Sequence, residues 1–248
     1  MKRLAFIIGV SVFASVLCLG CGGGGSDGGV ANLQGTWLGW IEDDEGIVEE
    51  FSLQIDGAGN VTDVWIDGDS TGDTAWINEG WDENVFHILY NIGNPLGHGI
   101  MIVDDQYSHA VYGNYGSASS DFFCGVLEKG AMSFPAYTSS DIIASFSVGG
   151  AYEGDSGVWE GDDISMTVDP ALTFTGSVSG ESFYGSFDTY DPDYGRYAGT
   201  LTRDIIPPVT MDIAAFICPD GEAVAAFATD IKTTPDELED FILIGLTK

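Results

Sequence analysis

Phe51-Ser52-Leu53-Gln54-Ile55-Asp56-Gly57-Ala58-Gly59-Asn60-Val61-Thr62-Asp63-Val64-Trp65-Ile66 is the stretch that decides the fold. Apolar and polar side chains alternate over 51–55 and resume at Val61, which is the period of a half-buried strand. Asp, Gly and Asn between the two runs are the residues of a tight turn, so the segment predicts a β-hairpin. The same alternation recurs over 85–92, 99–103, 107–112, 121–127, 142–148, 164–168, 172–178, 183–187, 197–202, 211–217, 224–229 and 241–247. Gly, Asp, Asn, Ser and Pro punctuate these runs every roughly 8 to 15 residues, the rhythm of all-β sandwiches and barrels. Helix is predicted only over 234–239, with Thr234 as N-cap and Pro235 in the first turn.

An internal repeat organises the strands. Gly35-Thr36-Trp37-Leu38-Gly39 and Gly150-Ala151-Tyr152-Glu153-Gly154 share the pattern Gly, any residue, aromatic, any residue, Gly. Further on, Ser52 to Asp56 followed by Val61 is matched by Ser165 to Asp169 followed by Leu172. These marks predict a duplication. The fold class expected is therefore all-β, with two similar antiparallel barrels or sandwiches at 31–147 and 148–248 and the segment 142–148 closing the first copy. Gly35-Thr36-Trp37 also resembles the Gly-x-Trp that opens the first strand of lipocalins and avidin-like proteins. The resemblance implies up-and-down barrels that are either filled by side chains or hold a small hydrophobic ligand. Trp37 and Tyr152 would then plug the ends of the two barrels.

The N-terminus reads as an address. Lys2 and Arg3 precede an apolar run over 4–19, Gly20 is a small residue, and Cys21 follows it. The run falls short of the about 20 apolar residues that a spanning helix needs. Leu17-Cys18-Leu19-Gly20-Cys21 resembles the lipobox of bacterial lipoprotein signals. That resemblance implies cleavage after residue 20 and a diacylglyceryl group on Cys21, with an amide-linked third acyl chain (palmitate or similar). It also implies sorting to the outer membrane, because Gly22 and not Asp follows the cysteine. Gly22 to Gly29 is nearly all Gly, with Ser26 and Asp27, so 21–30 predicts a flexible tether of about 15 Å.

Charge narrows the partners. The chain carries 39 acidic and 7 basic residues, a formal net charge of −32. Nucleic acid is excluded, because phosphate contacts need Lys and Arg. From Cys21 to Glu128 there are 19 acidic residues and no Lys or Arg, so this half must be held by apolar burial and not by ion pairs. With 44% hydrophobic and 12% aromatic residues the chain is nonetheless a folded protein. Two readings of the acidity stay open, a saline habitat and cation binding.

Chemistry-bearing motifs are sparse, and catalytic residues are not expected. Gly154-Asp155-Ser156-Gly157 and Gly68-Asp69-Ser70 resemble the serine contexts of trypsin-like and GDSL-type hydrolases, and both read as hairpin turns in a Gly/Asp/Ser-rich chain. His87, His98 and His109 are evenly spaced. If 94–95 and 105–106 lie in the turns of successive hairpins, with His87 across from Val103 and Val103 across from Ser108, His109 points to the opposite face from His87. No cofactor is expected unless it is Ca²⁺, for which Asp67, Asp69 and Asp73 offer alternate oxygen ligands around Gly68 and Gly72. Trp40, Trp76, Trp81 and Trp159 lie beside acidic or Gly-rich turns and are candidate platforms for sugar rings. Cys124 and Cys218 are left as one candidate disulfide, closing a loop of about 95 residues, or as two free thiols. Together these observations predict an acidic envelope lipoprotein with a binding or structural role. Its expected partners are the membrane, through the lipid, and envelope glycan or another envelope protein.

Overall fold

The computed structural model describes residues 29–43, 46–79, 83–90, 97–115, 122–153, 157–160, 163–229 and 241–248. The expected leader, Cys21 and the helix expected over 234–239 lie outside them. The predicted hairpin forms between β2 (Val48–Ile55) and β3 (Asn60–Ile66), with Leu53 opposite Val64. Asp56 builds its turn. Oδ1 accepts the amides of Ala58 at 2.8 Å and Asn60 at 2.9 Å, and Oδ2 accepts the Asn60 side-chain amide at 2.9 Å. The Asn60 side chain, then its amide and that of Ala58, hold the Asp56 carboxyl below its usual range.

These strands belong to a closed ring. β1 (Gly35–Glu42) pairs with β2, and β3 carries the two-residue β4 (Asp69–Ser70) before pairing with β5 (Ala75–Glu79). β6 (Val85–Tyr90), β7 (Gly97–Val103), β8 (His109–Tyr115) and β9 (Phe122–Lys129) follow as antiparallel neighbours, and β9 returns to β1. Counting β4 as an appendage, eight strands form this up-and-down barrel. Trp37, Phe86, Met101 and Tyr112 point inward and are fully buried. The short α1 (Gly29–Asn32) packs at one end, with Val30 and Leu33 against this core and the Trp37 indole donating to the Leu33 carbonyl at 2.8 Å. Gly29 and Val30, expected in the tether, thus belong to α1.

The second ring has the same plan. β10 (Ser145–Phe146) and β11 (Val148–Glu153) are two stretches of its first strand, and β12 (Gly157–Glu160) and β13 (Ile164–Val168) are two stretches of its second. β14 (Thr173–Val178), β15 (Glu181–Asp191), β16 (Arg196–Arg203), β17 (Val209–Ile217), β18 (Ala223–Thr229) and β19 (Phe241–Thr247) complete it, and β19 closes on β11. Phe146, Phe174, Phe187, Tyr197 and Leu201 fill its interior. Tyr137 and Ile142 pack into this same core, so the segment expected to close the first copy opens the second.

The duplication is visible in the turns. Asp169 repeats the bonds of Asp56, accepting the amides of Ala171 and Thr173 at 2.8 and 3.1 Å and the Thr173 hydroxyl at 2.7 Å. Asp67-Gly68 and Ser179-Gly180 are matching two-residue turns with both φ positive. The aromatic mark, however, pairs the wrong residues. Trp37 faces Leu53 across the ladder and Phe146 faces Met166, so Phe146 is the counterpart of Trp37. A break at Ser147 flips the alternation of the first strand. Tyr152 therefore points out of its barrel, where a plug was expected.

The barrels share a dry face. Val85, Ile100, Ile102, Val111 and Val126 of the first interlock with Ala214, Phe216, Phe227, Phe241 and Leu243 of the second. β8 lies on β18, flanked by β7 on β19 and β9 on β17. Counted around each ring, the seventh strand meets the seventh while the sixth meets the eighth in both directions. That is the reciprocal pattern of a two-fold contact, here between two halves of one chain.

Candidate functional site

The polar chemistry of the described residues concentrates where this face meets solvent. At one edge the β1 residue Glu42, 2% exposed, is gripped in a bidentate fork by Arg196 of β16, Nε to one oxygen and Nη2 to the other. The Glu42 bond raises the Arg196 guanidinium further above its ordinary range, against the opposing effect of burial. A cleft of about 460 Å³ opens beside this pair, lined by Asp43, Asp188, Thr200, Asp212 and Thr229 among others.

Across the seam the first strand of the second barrel meets the fifth of the first. The Tyr152 hydroxyl lies 3.1 Å from His87 Nδ1 and 3.1 Å from the Gly99 carbonyl. A hydroxyl has one proton, and a carbonyl can only accept. Tyr152 therefore donates to Gly99 and accepts from His87, which places the imidazole proton on Nδ1. His98 packs its ring 5.6 Å from that of Tyr152.

Burial first, and the neighbouring His98 second, pull His87 down from 6.5 to about 4; burial also lowers His98. A base depressed by folding stays neutral while the unfolded chain takes up its proton. Its effect on stability is absent above pH 6.5 and grows as a loss as the pH falls toward 4. His87→Gln is expected to flatten the pH dependence of the melting temperature in that window. The native chain should lose about 1–2 kcal/mol relative to the variant, after allowance for the partly solvated ring. Parallel profiles from pH 7 to pH 4 in the two proteins would contradict this assignment.

The histidine register differs from expectation. His87 pairs with Ile100, not Val103, and Ile100 with Gly113. This three-residue slip is odd, so His109 joins His87 and His98 on the outer face. It lies four residues along β8 from Gly113, about 13 Å, beside Asp104 at 3.4 Å and Glu128 at 3.9 Å. Burial would raise the Asp104 carboxyl, but bonds from Ser108 and His109 outweigh it and hold it low.

Other expected sites do not assemble. Among the described residues no group of three or more His, Cys, Asp or Glu is arranged to hold a metal ion. Asp67 instead caps the Glu50 amide at 3.0 Å, and Asp69 is exposed on β4. Of Gly68-Asp69-Ser70, expected as a hairpin turn, Gly68 lies in the Asp67-Gly68 turn while Asp69 and Ser70 form β4; 154–156 lie outside the described residues. Trp40 packs edge-on against Tyr194 at 5.2 Å, and Trp76 is 38% exposed on β5, so the two form no common platform. Trp81 and the Trp159 side chain lie outside the described residues. Cys124 and Cys218 are free thiols buried in the seam, where the candidate bridge is not formed. Burial pushes both well above the usual thiol range, leaving them protonated and unreactive. The Glu42–Arg196 and Tyr152–His87 pairs carried no sequence signal, because they join residues on opposite barrels.

The fold defines a double-barrel protein, two eight-stranded antiparallel barrels fused along one face. No family model and no curated protein matches the sequence. Among solved structures, a protein of unknown function from the DUF3598 family of Nostoc punctiforme is similar over 88% of this chain and 97% of its own. The TM-score is 0.40, at 11% identity. A candidate outer membrane protein of Bacteroides fragilis aligns over 88% of this chain and 99% of its own, with a TM-score of 0.27 and 8% identity.

Proposed function

We propose that this chain is a lipid-anchored protein of the cell envelope, held at the outer membrane through Cys21, with a binding or structural role and no catalytic one. Support comes chiefly from how the polar residues are used. Glu42, Arg196, His87 and Tyr152, the groups with chemistry to offer at the seam, are engaged in joining barrel to barrel. A second observation disfavours a lipocalin-like ligand inside the barrels: Trp37, Phe86 and Tyr112 in one and Phe146, Phe174 and Tyr197 in the other fill the interior with the chain's own side chains. What the protein binds would meet its outer surface. The charge of −32 favours neutral or cationic partners over anionic ones.

Mass spectrometry of the native protein tests the address. An N-terminal peptide beginning at Cys21 and carrying a diacylglyceryl mass is expected, with Cys21→Ala moving to the soluble fraction. An intact leader or an unmodified sulfur would overturn the anchor. Turnover of chromogenic ester or glycoside substrates that is lost in His87→Gln would overturn the non-catalytic role.

A further inference from the structure

The outer face of the second barrel turned away from the seam is unlike the rest of this acidic chain. Ser145, Thr167, Thr175, Tyr184, Thr202 and Thr210 are successive cross-strand partners, forming one row over β10, β13, β14, β15, β16 and β17. At about 4.8 Å per strand the row is about 24 Å long. Every member carries a hydroxyl and none carries a charge. Tyr184, 52% exposed, stands near the middle. Ser165, Ser177 and Ser182 make a parallel row on one side; Thr173, Ser186 and Thr200 make one on the other, where carboxylates border the face, Thr173 donating to Asp169, Ser186 to Asp188, and Thr200 pairing with Asp212. Cross-strand hydroxyl pairs, Ser145 with Thr167 at 3.0 Å, Ser165 with Ser177 at 3.2 Å and Thr202 with Thr210 at 3.2 Å, hold the side chains in register.

We propose that this face docks a chain of neutral polysaccharide along the Tyr184 row. This rests on the binding role proposed above and gives it a location and a ligand class. The aromatic face offers an apolar plate to the C–H side of a pyranose ring, and the flanking hydroxyls donate to and accept from sugar hydroxyls on either side. Charge selects the class. An anionic glycan is repelled by a chain of net charge −32, and a cationic partner is drawn to the carboxylate-rich surfaces elsewhere. An uncharged hydroxyl ladder matches an uncharged, hydroxyl-rich ligand. Shape selects a single flexible chain, because the strands of a closed barrel curve and tilt, and the rows cannot lie flat on a crystalline surface.

Affinity electrophoresis of the full-length chain in neutral detergent tests this. Gels containing hydroxyethylcellulose or soluble mixed-linkage β-glucan provide neutral probes, and alginate gels the acidic contrast. Retardation by at least one neutral polymer and none by alginate is expected. Tyr184→Ala should weaken the affinity at least tenfold, and Thr175→Val with Thr202→Val, which keeps side-chain shape but removes two hydroxyls, should weaken it several-fold. Trp65→Ala, at an exposed aromatic of the first barrel, should leave it unchanged. No retardation by either neutral polymer, equal retardation by alginate, unchanged binding of Tyr184→Ala, or equal loss in Trp65→Ala would each overturn the proposal. Because the lipid on Cys21 is read separately by mass, failure here leaves the anchor standing, and the reverse also holds.

Discussion

Arg196→Ala is expected to lower the unfolding free energy by about 3 kcal/mol, the penalty for leaving one member of a buried ion pair without its partner. Glu42 is 2% exposed and both its oxygens are held by the guanidinium fork. Without Arg196 the carboxylate stands at the edge of the adjoining cleft, beside Asp43 and the buried Cys124. The charge must then take up a proton or open the edge of the seam. Arg196→Lys should recover only part of the loss, since an ammonium cannot reproduce two parallel bonds. Glu42→Leu combined with Arg196→Leu should recover most of it, because an apolar pair needs no desolvation. Urea unfolding of these proteins, together with the single variants Glu42→Leu and Arg196→Leu, closes a double-mutant cycle. A loss below about 1 kcal/mol in Arg196→Ala would put the pair among solvent-screened surface bridges.

The clasp also marks the limit of what sequence reading reaches. The hairpin at 51–66 was legible because alternation and turn chemistry are local, and Asp56 performs in the structure what Asp does in such turns. The duplication was legible for the same reason, since the Asp169 turn repeats the Asp56 turn bond for bond. Registers were not. Placing His87 opposite Val103 assumed a tight β6–β7 hairpin, and an odd change in the length of that connection turns a whole strand over relative to its neighbour. The break at Ser147 has the same effect within one strand: a chance likeness of Tyr152 to Trp37 set a residue of the outer face beside one of the core. β5, over Ala75–Glu79, carried too short an alternation to be recognised. The seam lay beyond reach altogether, because its apolar residues alternate with equally apolar core residues. Runs such as β18, with Ala223 to Ala228 buried throughout, report burial on both faces without saying what covers the outer one.

Gly39→Ala is expected to cost about 3 kcal/mol or more, placing it among the few substitutions that threaten folding. A Cβ at Gly39 would stand 1.8 Å from the Val126 carbonyl oxygen and 2.9 Å from the Leu127 Cα, both backbone of the neighbouring β9. No rotamer change relieves such a contact; the two strands must part, and a closed ring has no free edge toward which to move. Gly149 repeats the arrangement in the second barrel, 1.9 Å from the Gly245 carbonyl oxygen and 2.9 Å from the Leu246 Cα. The first and eighth strands thus approach through a glycine in both barrels, as β15 and β16 do at Gly185 and Gly199. Two other glycines set the scale. At Gly113 the clash is with the Leu243 side-chain end at 2.5 Å, which can turn aside, and at Gly68 nothing lies within 4 Å and only the positive φ of 84° opposes a side chain. The losses should therefore rank Gly39→Ala and Gly149→Ala largest, Gly113→Ala between, and Gly68→Ala at about 1 kcal/mol. Urea midpoints measured for the four variants test the ranking. Gly39→Ala and Gly149→Ala as mild as Gly68→Ala would mean that the first and eighth strands can part enough to admit a Cβ, and that this close backbone approach is not required for either ring to close.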